Sequence, residues 1–228
     1  MSKTALRKIF RPILNWFWKS ETIPYQVLGS RYGAWPYPTV LIGKDVTLLT
    51  IGVGEDLSYE RAINSISNLR LTCFDPTDKA AKYINRVYSD FKDILFRNEA
   101  VVSDISKANF ARPLNPDHVS LRMADESHVD VDIKMTSVQR LKKDYNLKNF
   151  DIIKMDIEGF EISVLNSLLD FEIRPKYYLV EFHHNIYSNC RLLDTYRLIQ
   201  RLHCLNYKCF YISKNGSEYG FVKICVDF

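Results

Sequence analysis

The stretch that most constrains this chain is Asp151 to Leu165, DIIKMDIEGFEISVL, where a short apolar run ends in carboxylates around a glycine and passes straight into a helical pattern. Ile152, Ile153, Met155 and Ile157 suit a buried strand, while Asp156, Glu158 and Glu161 fall at its carboxyl end and on the helix that follows. Strand, tight turn and helix form the repeating unit of a parallel sheet, and in an open sheet of that kind ligands gather at the carboxyl ends of the strands. Acidic residues in a first helical turn suit the helix dipole, which accounts for Glu158 and Glu161 on structural grounds alone. Asp156 and Lys154 need another reason, because a charge on or beside a buried strand is costly unless it is paired.

A second segment, TLLTIGVGEDLSYE from Thr47 to Glu60, is an apolar run followed by Gly52, Gly54 and a polar turn into a helix. Two glycines one residue apart let the backbone turn sharply and approach a ligand closely. Asp75 ends the next apolar run, LRLTCFD, about twenty residues further on, where a nucleoside-binding sheet places the carboxylate that grips ribose hydroxyls. The two features at this spacing support each other.

Strand patterns recur at Thr47–Ile51, Arg70–Phe74, Ile94–Val102, Asp151–Met155, Lys176–Phe182, Lys208–Ser213 and Tyr219–Val226. Helical patterns lie near Tyr59–Ile66, Lys79–Ser89, Ser137–Tyr145, Phe160–Leu169 and Leu192–Leu205. This alternation predicts an α/β fold, a doubly wound and mostly parallel seven-stranded sheet covered on both faces. The last two strands are separated only by KNGSE, a loop suited to a C-terminal antiparallel hairpin. Asn109–Lys134, with Pro113 and Pro116, reads as short strands and loops.

The 228 residues, 46% hydrophobic, fit one catalytic-sized domain at residues 35–228, preceded by an amphipathic helix and linker at residues 1–34. Basic and acidic residues number 31 and 27, a balance that speaks against a nucleic-acid partner. The five cysteines show no metal-ligand spacing, which suits a reducing compartment. Residues 5–20, ALRKIFRPILNWFWKS, are too short and too charged to span a bilayer. Such a helix either packs on the domain or makes peripheral membrane contact, and the expected location is cytoplasmic.

These segments resemble the class I S-adenosylmethionine-dependent methyltransferases, and within them the FkbM family. The resemblance runs from about Trp35 to His184 and is carried by IGVGEDLSYE, by FDPT at Phe74–Thr77, by NEAVVSD at Asn98–Asp104, by YLVEFHH at Tyr178–His184 and above all by KMDIEGFEISVL. Thr50 stands where the family usually has an acid, and Glu55, Asp56 and Leu57 replace the third glycine of the common loop. The resemblance implies a Rossmann-like methyltransferase fold and S-adenosylmethionine as cofactor. Gly52 and Gly54 would cradle it, Asp75 would take the ribose, Glu55 or Asp56 the methionine end, and Asn98, Glu99 and Ala100 the adenine, with Asp156 also beside the cofactor. It further implies O-methylation of a sugar, glycan or secondary-metabolite hydroxyl, with Glu158 near the acceptor and Trp35 and Tyr37 as aromatic walls or, equally, as core plugs.

Parity organises the catalytic candidates. Lys154 and Asp156 share a strand face, as do Glu181 and His183, so neighbouring strands would bring them to one pocket. His183 is the preferred general base, with Glu181 or Asp156 orienting it, and the alternative is a structural histidine capping a strand end. His184 should face away. Asp156, Glu181 and His183 could instead hold a divalent metal, although a hydrogen-bonded network is the favoured reading. Lys154 needs a carboxylate partner, for which Asp156 and Glu181 are the natural choices. Two competing functions are a non-catalytic binding or scaffold protein, suggested by Thr50 and the altered loop, and a nicotinamide-binding domain, weakened by the missing GxGxxG.

Overall fold

The computed structural model describes residues 21–108, 110–111, 122–123, 133–145, 149–183 and 191–224. The amphipathic segment 5–20, His184, Cys190, Cys225 and most of 109–134 lie outside them. Strand β1 (Tyr25–Leu28) pairs antiparallel with β2 (Trp35–Pro38). The central sheet follows with β3 (Asp45–Ile51), α1 (Ser58–Ile66), β4 (Asn68–Phe74), α2 (Asp78–Val87) and β5 (Asp93–Arg97). Next come β6 (Ala100–Val102), β7 (Phe110–Ala111), β8 (Arg122–Met123), β9 (Met135–Ser137) and α3 (Val138–Asp144). The chain then forms β10 (Ile152–Met155), α4 (Glu161–Asp170), β11 (Tyr177–Glu181), α5 (Leu192–Cys204), β12 (Tyr207–Ile212) and β13 (Glu218–Lys223).

Seven strands make one sheet in the order β12-β13-β11-β10-β3-β4-β5. The pairs from β11 across to β5 are parallel, and β13 enters antiparallel between β11 and β12. The reversal of chain direction at the C-terminal loop is thus absorbed inside the sheet, where β13 is paired on both sides. Alternating side chains feed two cores. Leu49, Ile51, Ile153, Met155, Tyr178 and Val180 pack under α3, α4 and α5, while Leu48, Leu71, Cys73, Ile152 and Leu179 pack under α1 and α2. Helix starts are capped where the sequence offers hydroxyls: Thr77 accepts from the Ala80 amide at 3.2 Å and Ser137 from the Arg140 amide at 3.2 Å.

One expected strand is divided. Ile94–Val102 becomes β5 at the sheet edge and β6, which leaves the sheet to pair with β9. The break falls at Asn98, whose side-chain amide donates to the carbonyls of Asp75 at 3.0 Å and Thr77 at 3.2 Å, so the backbone turns where a polar side chain fastens it. Among the described residues no helix is long and apolar enough to cross a membrane. Cys73 and Cys209 are buried and Cys204 is exposed, and none of the three is in a disulfide.

Candidate active site

The glycine turn leaves β3 at the carboxyl edge of the sheet, between the ends of β4 and β10. Gly52 (φ +87°) donates to the Phe74 carbonyl at 2.9 Å, and a Cβ at this position would stand 1.7 Å from the Asp156 carbonyl oxygen. Gly54 (φ +58°) differs: no heavy atom lies within 4 Å of where its Cβ would be. Asp75, nearly buried at the end of β4, fastens the turn. Its Oδ2 accepts from the amides of Val53 and Gly54, each at 2.9 Å, and its Oδ1 accepts from the Thr77 amide at 2.9 Å and hydroxyl at 2.6 Å. A carboxylate offers about four acceptor positions. Asp75, where the resemblance expects the ribose acid, is therefore a brace for the cradle.

The acidic turn after β10 forms the opposite wall. Glu158 adopts a left-handed conformation (φ +51°), uncommon for a residue with a Cβ, and Gly159 (φ +105°) follows it. Glu161, fully buried at the start of α4, accepts from the Ile157 amide at 3.3 Å and the Gly159 amide at 3.1 Å, and its Oε1 lies 2.7 Å from Nδ1 of His183. The other nitrogen of that ring, Nε2, is 3.4 Å from Glu158 and 3.8 Å from Asp156.

This arrangement changes the role expected of His183. Burial alone would lower the pKa of its ring, but the bonded Glu161 carboxylate, together with Asp156 and Glu158, outweighs burial and raises it to about 10. These acids favour the imidazolium, and a ring in that form has no lone pair with which to act as a general base. Burial raises Asp156 to about 6, with Glu158 and Glu161 adding to the rise and His183 and Lys154 opposing it. Burial, with Asp156 adding to it, likewise raises Glu181 to about 8.

These shifts have a sign for stability. The contribution of a protonated His183 is complete below its ordinary value near 6.5 and is lost as pH rises through about 10. Glu181 acts in the same direction, its contribution complete below 4.5 and lost through about 8. The unfolding free energy in urea should therefore fall between pH 6.5 and 10 by about 5 kcal/mol at most, and His183→Gln should flatten that decline. A native profile that is level or rising over this window would contradict the assignment.

A cleft of about 100 Å³, open to solvent, joins the two walls. Gly52, Gly54, Asp75, Glu99, Ala100, Asp156 and Glu158 line it, so half of the expected positions meet there, while His183 and Glu181 lie behind the acidic turn and outside the lining. Others do not reach its lining. Asn98 is spent on backbone carbonyls. Glu55 faces Arg86 at 3.9 Å. Asp56 accepts from the Ser30 hydroxyl at 2.5 Å and the Ser58 amide at 2.7 Å; despite burial these bonds lower its pKa and tie it to the loop between β1 and β2.

Trp35 and Tyr37 are not cleft walls. Both are buried in the core under α1 and α2, where the Tyr37 hydroxyl meets Ser67 at 2.8 Å and donates to the Leu41 carbonyl at 3.1 Å. β2 places its aromatic side chains on the inner side of the ribbon, which is why they fill the core. The aromatic wall comes instead from Phe110 and Phe160, stacked with centroids 4.6 Å apart. The partner of Lys154 also differs from expectation: it is Glu60 of α1, at 3.2 Å, not Asp156 or Glu181. The detectable sequence cue was an acid beside Tyr59 and one helical turn before Ile63, on the apolar face of α1.

Ligand atoms of Asp156, Glu158 and His183 lie within 4.8 Å of one another, so this trio, with Glu158 in the place expected for Glu181, has the spacing for a divalent cation, which His183 could ligate only by giving up its Nε2 proton.

Residues 43–209 match the family model of the methyltransferase FkbM domain. No curated protein matches the chain. Among solved structures, an rRNA methylase from Streptococcus thermophilus aligns with 7% identity over 82% of this chain and 91% of that one, with a TM-score of 0.46. A protein from Pyrococcus horikoshii described as a transferase aligns with 8% identity over 96% of this chain and 81% of that one, with a TM-score of 0.37. With nearly three quarters of its length inside the family model, and the glycine turn and acidic turn facing each other across one cleft, the chain belongs to the FkbM methyltransferase family.

Proposed function

We propose that the protein is an S-adenosylmethionine-dependent O-methyltransferase acting on a hydroxyl of a sugar, glycan or secondary metabolite. The observation that carries this reading is the single cleft running from the Gly52–Gly54 turn and Asp75 to the Asp156–Glu158 turn. The residues fit the cofactor: Gly54 leaves open the space that a side chain would fill, and Asp75 holds the turn in that shape. The cofactor, when bound, supplies a methyl group made electrophilic by a sulfonium. Gly52, Gly54, Asp75, Glu99 and Ala100 would hold it. The protein's remaining task is to align a hydroxyl and take its proton.

Asp156 suits that task. It lines the cleft, and its raised pKa brings it closer to the working pH than an ordinary aspartate. His183 acts beside it as a fixed positive charge that limits repulsion among Asp156, Glu158 and Glu161. Asp156→Asn should lower kcat about 10²–10⁴-fold once an acceptor is known, while the Kd for S-adenosylhomocysteine changes only several-fold. Retained turnover would place the base elsewhere.

The first experiment is calorimetric titration with S-adenosylmethionine and S-adenosylhomocysteine, with and without a chelator. Saturable binding supports the proposal and justifies a screen of sugar and glycan acceptors. Sensitivity to the chelator would assign a cation to Asp156, Glu158 and His183. No binding at millimolar ligand would favour a non-catalytic binding protein.

A further inference from the structure

We propose that Glu161 is the positioning residue of this site, a buried carboxylate that locks the His183 ring and the Asp156–Gly159 turn into one unit so that Nε2 is presented to the cleft acids. The inference rests on the methyltransferase reading for its purpose, but its geometry stands apart from it. Glu161 belongs to the first turn of α4, where a carboxylate satisfying free amides is ordinary helix chemistry. That role explains the bonds from Ile157 and Gly159. It does not explain why the same carboxylate is fully buried and reaches a histidine 22 residues away, beyond the end of β11.

The contact has a chemical consequence. A histidine has two nitrogens, and the partner of one fixes what the other can do. With Nδ1 donating to Glu161 at 2.7 Å, Nε2 is the atom turned toward Glu158 and Asp156. The same carboxylate holds the amide of Gly159, next to the left-handed Glu158, so ring and turn share one anchor. The charged groups facing His183 come from three elements: Asp156 and Glu158 from the turn, Glu161 from α4 and Glu181 from β11, with Lys154 of β10 acting on Asp156. Removing the Glu161 charge would take away the buried anchor of Nδ1.

The test uses nitrogen-15 NMR of the full-length protein with labelled histidine, the His183 signals being identified among the five histidines by their loss in His183→Gln. In the native protein Nδ1 should carry a proton across neutral pH, with slowed solvent exchange. Glu161→Gln should speed that exchange about tenfold or more and move the Nδ1 signal, because a neutral amide oxygen is a weaker acceptor than a carboxylate. Unchanged nitrogen shifts in a folded Glu161→Gln variant would reduce Glu161 to a helix cap and overturn the proposal. If the variant does not fold, the native spectrum decides, because an unprotonated or fast-exchanging Nδ1 is incompatible with the contact. Titration with S-adenosylhomocysteine is run on the same native sample. Failure to bind would refute the enzymatic reading while leaving the His183 signature to judge this one.

Discussion

Gly52→Ala is expected to be among the most damaging single substitutions in this protein. The added methyl would sit 1.7 Å from the carbonyl oxygen of Asp156, and that oxygen belongs to backbone that cannot rotate away. Asp156 is also held by its own amide, which donates to Ile51 at 2.9 Å, so relief requires β3 and β10 to separate at the site itself. Overpacking of this kind combined with a left-handed backbone costs about 3 kcal/mol or more, which urea unfolding would resolve. Gly54→Ala is the matched comparison. Its conformation costs about 1–2 kcal/mol for a residue with a Cβ, but no atom lies within 4 Å of the methyl. That variant should fold and lose affinity for S-adenosylhomocysteine at least about tenfold, because its methyl enters the cleft. Equal loss of stability in both variants would mean that the turn is not built against Asp156.

The contrast between the two glycines shows what the sequence could and could not carry. Side-chain periodicity is local, so the strands of the central sheet, the described helices and the terminal hairpin were legible from runs of a few residues, whereas the β1–β2 ribbon, read as linker, was not. So was the placement of Gly52, Asp75 and Asp156 at the carboxyl edge, because each ends an apolar run. The split of Ile94–Val102 was hidden, since Asn98 fastens itself to carbonyls 21 and 23 residues away. Trp35 and Tyr37 were ambiguous for a similar reason: nothing local says which side of the β1–β2 ribbon faces the core. The state of His183 was beyond reach of parity. It depends on Glu161, brought in by the packing of α4, and a residue's charge is set by three-dimensional neighbours more than by its own element.

Lys154 and Glu60 should behave as one unit in stability, with a consequence for Asp156. Thr50, Lys154 and Cys73 lie side by side in register across β10, β3 and β4, on the face that α1 covers. Glu60 reaches down from α1, accepting from the Thr50 hydroxyl at 2.8 Å and from the Lys154 ammonium at 3.2 Å, with Trp35 against that ammonium at 5.5 Å from the ring centre. An acid from the helix above thus meets the side chain at position 50. Burial alone would make Lys154 easier to deprotonate, but Glu60 and Asp156 outweigh this and hold its pKa above the ordinary value. Removing either partner leaves a buried charge uncompensated, so Lys154→Met or Glu60→Leu alone should each cost about 3–5 kcal/mol. The double variant exchanges two ions for apolar groups, and the destabilisation should largely vanish. Losses that simply add in the double variant would show that the two side chains act independently. Lys154 also lowers the pKa of Asp156, so the double variant, although stable, should carry an Asp156 that ionises at higher pH. Its acidic limb of binding or turnover would then move upward. That outcome would separate what the buried pair does for the fold, which hydrophobic groups can replace, from what it does for the charge of the site, which they cannot.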